Sequence, residues 1–310
     1  MHKIDSLLAD YLAHLGMPGD YEAHSVPCEV CGEKKNTVIR EIVDIGMGAF
    51  GKHPVVACDC CGFLFQNLRF DLPFYKEYYS RHYRNVVYKN PDPSQEFIAD
   101  QLQRGKLLFE NLKKYLPARG NLLDAGCSVG GNMIAFMNAG WDCYGTDPDS
   151  GFVRYGSEKM NLPVEEMLSE DMKLRDGHYD LIMIMGSLEH VFDPNKVLAI
   201  CRKACKPKGF LILEGRGKPQ SASKKYFNHN HHRYLSLVSM QLLMKKHGWE
   251  PVLMTEDPIA GPTRPGSIFC LGQASKTPSE EEFVGIVNSG LREDSKEILR
   301  KFDELDRLRG

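Results

Sequence analysis

Apolar residues between Phe97 and Gly272 follow two alternating rhythms. Ile98, Leu102, Leu108, Phe109, Leu112 and Leu116 recur at three- and four-residue spacings, which predicts an amphipathic helix ending near Pro117. Short apolar runs then predict strands at Leu122–Asp124, Asp142–Asp147, Asp180–Met185 and Phe210–Glu214. Helical patterns fall between them, around Asn132–Ala139, Phe152–Lys159 and Asn195–Ala204. A helix at Leu237–His247 and strands at Pro251–Thr255 and Ser267–Gly272 bring the named strands to six, in a pattern read as one seven-stranded sheet. The alternation implies right-handed βαβ units, hence an α/β fold with a parallel sheet and helices on both faces.

The two ends read differently. Pro and Gly at Met17-Pro-Gly19, Pro27 and His53-Pro54 predict short strands and turns over the first 65 residues. An aromatic stretch follows, Phe74-Tyr-Lys-Glu-Tyr-Tyr79 with Tyr83 and Tyr88, which reads as packing in preference to a substrate wall. Beyond Lys276 the chain is charged and helical, and Phe283, Val287, Ile298, Leu299, Phe302 and Leu305 form an apolar stripe suited to the core or to a second copy in a homodimer. The expected division is 1–90, 91–275 and 276–310.

Composition narrows the function. A chain of 310 residues with 42% apolar and 26% charged residues is ordinary for a globular protein. Lys and Arg number 39 against 41 Asp and Glu, so no global positive field gathers nucleic acid or anionic lipid. The longest apolar runs fall far short of the roughly 20 residues of a membrane helix. Residues 1–20 show no secretory pattern, and a cytoplasmic location is expected.

Cys28-Glu-Val-Cys31-Gly and Cys58-Asp-Cys-Cys61-Gly are two Cys-x-x-Cys-Gly knuckles. Each can offer two thiolates to one tetrahedral zinc, and four sulfurs leave no position for water, so Cys28, Cys31, Cys58 and Cys61 are expected to hold a structural Zn²⁺. Cys60 is the poorer match in spacing. Cys127, Cys143, Cys201, Cys205 and Cys270 sit in apolar patterns and read as small buried hydrophobes.

The segment Leu122-Leu-Asp-Ala-Gly-Cys-Ser-Val-Gly-Gly131 puts a buried strand before a small-residue turn that opens a helix. Such a turn lets a ligand lie against bare backbone at the carboxyl edge of the sheet. A second strand ends in Gly145-Thr-Asp147, placing an acid where it can accept two ribose hydroxyls, and Asp124 can face an ammonium group. A dinucleotide remains open, although the turn lacks the G-x-G-x-x-G spacing. At these residues the chain resembles the class I methyltransferases that use S-adenosylmethionine. Asp124-Ala-Gly126-Cys127-Ser-Val-Gly130 resembles their first motif, and Tyr179 to Pro194, through Gly186, their fourth-strand signature. Lys206-Pro-Lys-Gly209 resembles their turn before strand five. The resemblance implies a Rossmann-like methyltransferase sheet, Gly126 and Gly130 against the methionine portion, Asp147 on the ribose, and Asp171 or Glu170 near the adenine.

Methyl transfer to oxygen or carbon usually needs a base, and His is the side chain most easily poised near neutral pH. Asn228-His229-Asn-His231-His232 lies after the fifth predicted strand, and His190 ends the fourth, so these histidines converge on one sheet edge. A metal set of His229, His231 and His232 has no obvious acid to complete it. The zinc knuckles, the aromatic stretch, Leu188-Glu-His190 and His231-His-Arg-Tyr-Leu-Ser236 together resemble the zinc-containing bacterial sugar methyltransferases, typified by C-methyltransferases of nucleotide-activated keto sugars. That resemblance implies His231 as base, His190 holding the sugar, and a nucleotide sugar or glycan as partner. Asn230 stands where the C-methylating members commonly place Glu, and their further α/β domain has no counterpart after the last helix here, so O-methylation is equally open. Two other classes remain: an RNA methyltransferase gripping its substrate with the zinc module, and a non-catalytic methyltransferase-like binding protein.

Overall fold

The computed structural model describes residues 12, 17, 21, 23–46, 49–83, 92–217, 227 and 230–308, without the side chains of 42–53. In its amino-terminal part, β1 (Ala23–His24) precedes a long hairpin of β2 (Asn36–Gly46) and β3 (Ala49–Cys58), followed by β4 (Leu64–Gln66) and β5 (Arg69–Phe70). The hairpin departs from the short strands expected. Pro54 does not end β3 because it falls in a register shift of the ladder, between Arg40↔Val55 and Ile42↔Lys52, where its missing N–H is not needed. Next, α1 (Leu72–Glu77) is capped by Asp71 and runs on into a wider turn over Tyr78–His82.

The sheet that follows is built in chain order. After α2 (Gln95–Leu112), capped by Ser94, come β6 (Asn121–Ala125), α3 (Ile134–Asn138), β7 (Asp142–Asp147), α4 (Ser150–Arg154) and β8 (Val164–Glu166). Then follow β9 (Tyr179–Met185), α5 (Pro194–Ala204), β10 (Cys205–Arg216), β11 (Arg233–Tyr234), α6 (Leu237–Lys246), β12 (Trp249–Thr255) and β13 (Ser267–Ala274). Seven of these strands form one sheet in the order β12-β13-β10-β9-β6-β7-β8. The neighbours from β10 to β8 are parallel, whereas β13 runs antiparallel to both β10 and β12. The apolar run Leu181–Met185 is buried because helices cover both faces, as the sequence pattern predicts. The edge strand β8 has no apolar run to announce it: Val164 is half-buried and both glutamates are exposed.

Two features tie the ends of the chain to this sheet. β11 leaves the sheet region to pair antiparallel with β4, so the loop after β10 is stitched to the amino-terminal part. The predicted long terminal helix is two, α7 (Glu280–Asn288) and α8 (Ser295–Arg307), separated by Gly290 at φ 104° and restarted by Asp294 as cap. Phe283 and Val287 join the cluster that holds Cys28, Cys58, Cys61 and Leu123, while Ile298 and Phe302 pack with Val55, Phe227 and Tyr234. The tail thus folds back over the knuckles and the amino-terminal sheet of its own chain, a choice the stripe alone left open. Cys127, Cys143, Cys201, Cys205 and Cys270 are buried, as expected. No described helix is long and apolar enough to cross a membrane.

Candidate active site

A cavity of about 290 Å³ opens at the carboxyl ends of β6, β7, β9 and β10. Its floor is the turn after β6. Gly126 N and Cys127 N both donate to Thr146 O, at 2.7 and 2.9 Å, which ties the turn to β7. Gly126 has φ 82°, and a Cβ there would sit 2.5 Å from the Ser187 side chain, so only glycine fits. Gly186 carries the same requirement at the end of β9, where a Cβ would strike the Arg264 guanidinium. Both glycines line the cavity, and Ser187 stands against Gly126 with its hydroxyl donating to Ala125 O at 2.9 Å.

Asp147 lines the cavity and is held from behind: Ser128 N donates to its Oδ2 at 2.8 Å and Asp149 N to its Oδ1 at 3.0 Å. Asp124 is fully buried beneath the turn, and neither of its oxygens meets a donor among the described residues. Burial, with Asp147 adding repulsion, pushes its carboxyl up to about 8. Three residues predicted for this half stand elsewhere. Cys127 turns its sulfur toward Gly145, and a Cβ on Gly130 would point at Val164, so both support the turn from the rear rather than line the cavity. Asp171 pairs with Lys76 at 3.2 Å on the outer surface; its neighbour Glu170 lines the cavity instead and accepts from Phe192 N at 2.7 Å.

The other half gathers Glu189, His190 and His231. Their ligand-type atoms lie within 4.8 Å of one another, and the two imidazole rings are 5.0 Å apart. His190 Nδ1 donates to Asn230 O at 2.8 Å, which fixes the orientation of the ring. Tyr79 OH donates to the same carbonyl at 3.3 Å and, with Tyr75 and Tyr83, forms the cavity wall. The aromatic stretch therefore packs and lines the site at once, more than the sequence reading gave it. Glu189 is 6% exposed, burial raises its carboxyl to about 7, and its Oε2 meets no donor among the described residues. Sequence reasoning quoted Glu189 within a motif but gave it no role, and it passed over Arg216 and Arg264, which also border the cavity.

His229 lies outside the described residues. His232 is fully buried behind the wall, edge-on to Tyr75 at 4.6 Å, and burial beside Arg69 and Arg233 keeps it neutral. Among the described residues, His231 groups with Glu189 and His190 and not with His232.

The four knuckle sulfurs converge as well. Cys28 Sγ lies 3.6 Å from Cys61 Sγ, and Cys31 Sγ 3.4 Å from Cys58 Sγ. A zinc tetrahedron with 2.3 Å bonds has edges of about 3.8 Å, close to both. Gly32 and Gly62, at φ 78° and 76°, close each knuckle with N–H bonds to the carbonyls of Cys28 and Cys58. Sharing hydrogen bonds among four crowded sulfurs lowers the thiols of Cys31 and Cys58 and raises those of Cys28 and Cys61.

Among solved structures, a Burkholderia thailandensis 1,6-didemethyltoxoflavin-N1-methyltransferase with bound 1,6-didemethyltoxoflavin and S-adenosylhomocysteine aligns over 76% of this chain and 100% of its own, with TM-score 0.50 and 13% identity, a likeness of fold. A ubiquinone biosynthesis O-methyltransferase from Bordetella avium is 33% identical over 102 residues, covering 30% of this chain and 41% of that protein. An S-adenosyl-L-methionine-dependent Diels-Alderase from Talaromyces variabilis is 30% identical over 120 residues, 36% of this chain and 41% of that protein. The chain thus spans about two fifths of the length of these curated relatives. Residues 95–253, just over half of the 310, match the profile of the methyltransferase domain family, and the chain belongs to that family, the class I methyltransferases dependent on S-adenosylmethionine.

Proposed function

We propose that the protein transfers the methyl group of S-adenosylmethionine to an oxygen or carbon of a sugar or sugar-containing small molecule, with His-assisted proton removal. The observation that carries this reading is the single cavity joining Gly126, Gly186 and Asp147 at one end to His190 and His231 at the other. When bound, S-adenosylmethionine supplies an activated methyl group together with its leaving group. The chain's part is to hold it and to bring the acceptor within about 3–3.5 Å in line with the breaking bond. Asp147, already oriented by two backbone N–H groups, accepts the ribose hydroxyls, and the Gly126 turn accepts the methionine portion against bare backbone. A cationic ammonium above the turn relieves the uncompensated burial of Asp124.

At the acceptor end, His231 assists removal of the proton, while His190, oriented through Asn230 O, holds the acceptor. The tyrosines beside them suit a sugar face, which stacks on aromatic rings, and Arg216 and Arg264 suit an acceptor that carries negative charge. The relative from Bordetella avium, an O-methyltransferase by name, keeps oxygen as a leading acceptor atom. In the division proposed here, residues 1–90 form a zinc module and aromatic connector, 91–275 the methyltransferase domain and 276–310 a helical tail. Cys28, Cys31, Cys58 and Cys61 hold a structural Zn²⁺, which their sulfur spacing fits. The test is incubation with S-adenosylmethionine and a panel of nucleotide-linked keto and hydroxy sugars in deuterated water, read by mass spectrometry. Methyl gain with deuterium at the adjacent carbon supports carbon methylation through an enolate, and gain without it supports a heteroatom acceptor. No methyl gain on any sugar contradicts the sugar class.

A further inference from the structure

We infer that Glu189, His190 and His231 form a second metal centre, one that holds a divalent cation of the first transition row inside the acceptor half of the cavity. The inference rests on the reading above for the acceptor's place, and deepens it by giving the form that the histidine assistance takes.

Two histidines and one carboxylate are the donor set that binds such ions on one face and leaves the opposite positions open. All three side chains border the cavity, so the open positions face the space an acceptor fills. The ligand-type atoms lie within 4.8 Å of one another. Ligands about 2.1 Å from a common ion and on one face of it stand about 3.0–3.4 Å apart, so closure from 4.8 Å asks for up to about 1.5–2 Å, shared among three side chains and within the reach of their rotations. Two independent details point to an ion. Glu189 is 6% exposed, and its Oε2 is buried with no donor among the described residues, a position that a cation satisfies. His190 is oriented as metal-bound histidines usually are, with Nδ1–H on the backbone carbonyl of Asn230 at 2.8 Å.

The two arginines on this wall limit the charge that the site accepts. Arg264 donates to Met185 O at 3.1 Å and stands 3.6 Å from Glu214, which also pairs with Arg104 at 2.5 Å, so part of its charge is answered away from the trio. An acceptor with a hydroxyl or carbonyl oxygen on the cation would lose its O–H proton, or the C–H proton beside the carbonyl, to solvent more readily, as water does on a bound zinc. His231 then assists by holding the ion.

The experiment uses the full-length protein with its thiolate site loaded with zinc. It is titrated with manganous ion, which prefers oxygen and nitrogen donors to sulfur. Bound manganese is read by electron paramagnetic resonance and zinc by elemental mass spectrometry. The inference predicts one saturable manganese per chain, bound at least about tenfold more weakly in Glu189→Gln and in His190→Gln, with zinc content and circular dichroism unchanged. His231→Asn serves as a third variant should either of the others fail to fold. Absence of bound manganese, or equal affinity in every folded variant, overturns the inference. Manganese bound as predicted by a protein that methylates no sugar upholds the metal centre and overturns only the functional reading. Methyl transfer without any bound manganese does the reverse.

Discussion

Glu29, between the first two knuckle cysteines, grips Arg233, two residues beyond His231: Arg233 Nε lies 2.7 Å from Glu29 Oε2 and Nη2 lies 2.5 Å from Oε1. Arg233 also donates to the carbonyls of Leu188, Val191 and Phe192, the loop that carries Glu189 and His190. Arg69 completes the cluster from the amino-terminal sheet, pairing with the same carboxylate and with Gln66 O. The first knuckle is therefore joined through one carboxylate to both segments that supply the acceptor half of the cavity. Burial pushes Glu29 up, but the two arginines outweigh it and hold its carboxyl down at about 2.

Removing that carboxylate leaves two buried guanidinium groups with backbone carbonyls as acceptors but without their counter-charge. Glu29→Ala is expected to lower stability by about 3–5 kcal/mol, the usual range for breaking a buried ion pair from one side. Chemical denaturation of the zinc-loaded protein measures it. A loss well under about 1 kcal/mol, the scale of an exposed pair, contradicts the buried cluster.

Zinc and folding are expected to fail together. Phe63, Val30 and Cys61 belong to the same packed cluster as Leu123 and Ile182 of the central sheet, so collapse of a knuckle opens the main core. Cys31→Ser should lose zinc and soluble protein in parallel, by elemental analysis and sedimentation. A folded, soluble, zinc-free variant contradicts a structural role.

At the cofactor end, Asp147→Ala removes the acceptor aimed at the ribose and is expected to weaken cofactor binding by about 1.5–3 kcal/mol, roughly ten- to hundredfold. Gly126→Ala combines a positive φ with a Cβ 2.5 Å from Ser187, and should weaken binding by a like amount and reduce stability as well. Calorimetry with S-adenosylhomocysteine reads both. Wild-type affinity in Asp147→Ala contradicts the assignment.

Asp124 gives the site a pH dependence with a defined sign. Its folded carboxyl is raised to about 8, so near neutrality the free protein holds a proton there that its unfolded chain has lost. A cofactor ammonium favours the ionised form, and binding should release that proton. Affinity is expected to rise between about pH 6 and about pH 7, before the cofactor's own amino group, with a typical pKa of about 8, begins to titrate. The same raised carboxyl makes the cofactor-free protein lose stability as pH climbs from about 4, the unfolded value, toward about 8. Asp124→Asn should flatten the affinity profile; an unchanged slope excludes this carboxyl as its source.

The sequence made the cofactor half legible because its signals are local. A strand, a glycine turn and an acid at the end of the next strand lie within 26 residues, Leu122 to Asp147, and all three stand where expected. The acceptor half is assembled from segments far apart in the chain: Tyr79, Glu189 and His231 meet only because β11 returns to pair with β4. No periodicity announces such a return, nor the reversal of β13 against β10. Glu189 and His190 are adjacent, and a local reading allots one to the cavity, whereas the turn after β9 presents both. In the tail the apolar stripe was visible, but the break at Gly290 and Asp294, which splits it into two helices, was not read from the sequence.

The central claim is that one cavity has a cofactor end and an acceptor end with separate duties. It is tested most directly by comparing wild type with His231→Ala for S-adenosylhomocysteine affinity and for methyl transfer to whichever acceptor the sugar panel yields. Affinity within about twofold of wild type with turnover reduced at least about a hundredfold is the predicted result. Retained turnover, or loss of cofactor affinity in step with turnover, contradicts it.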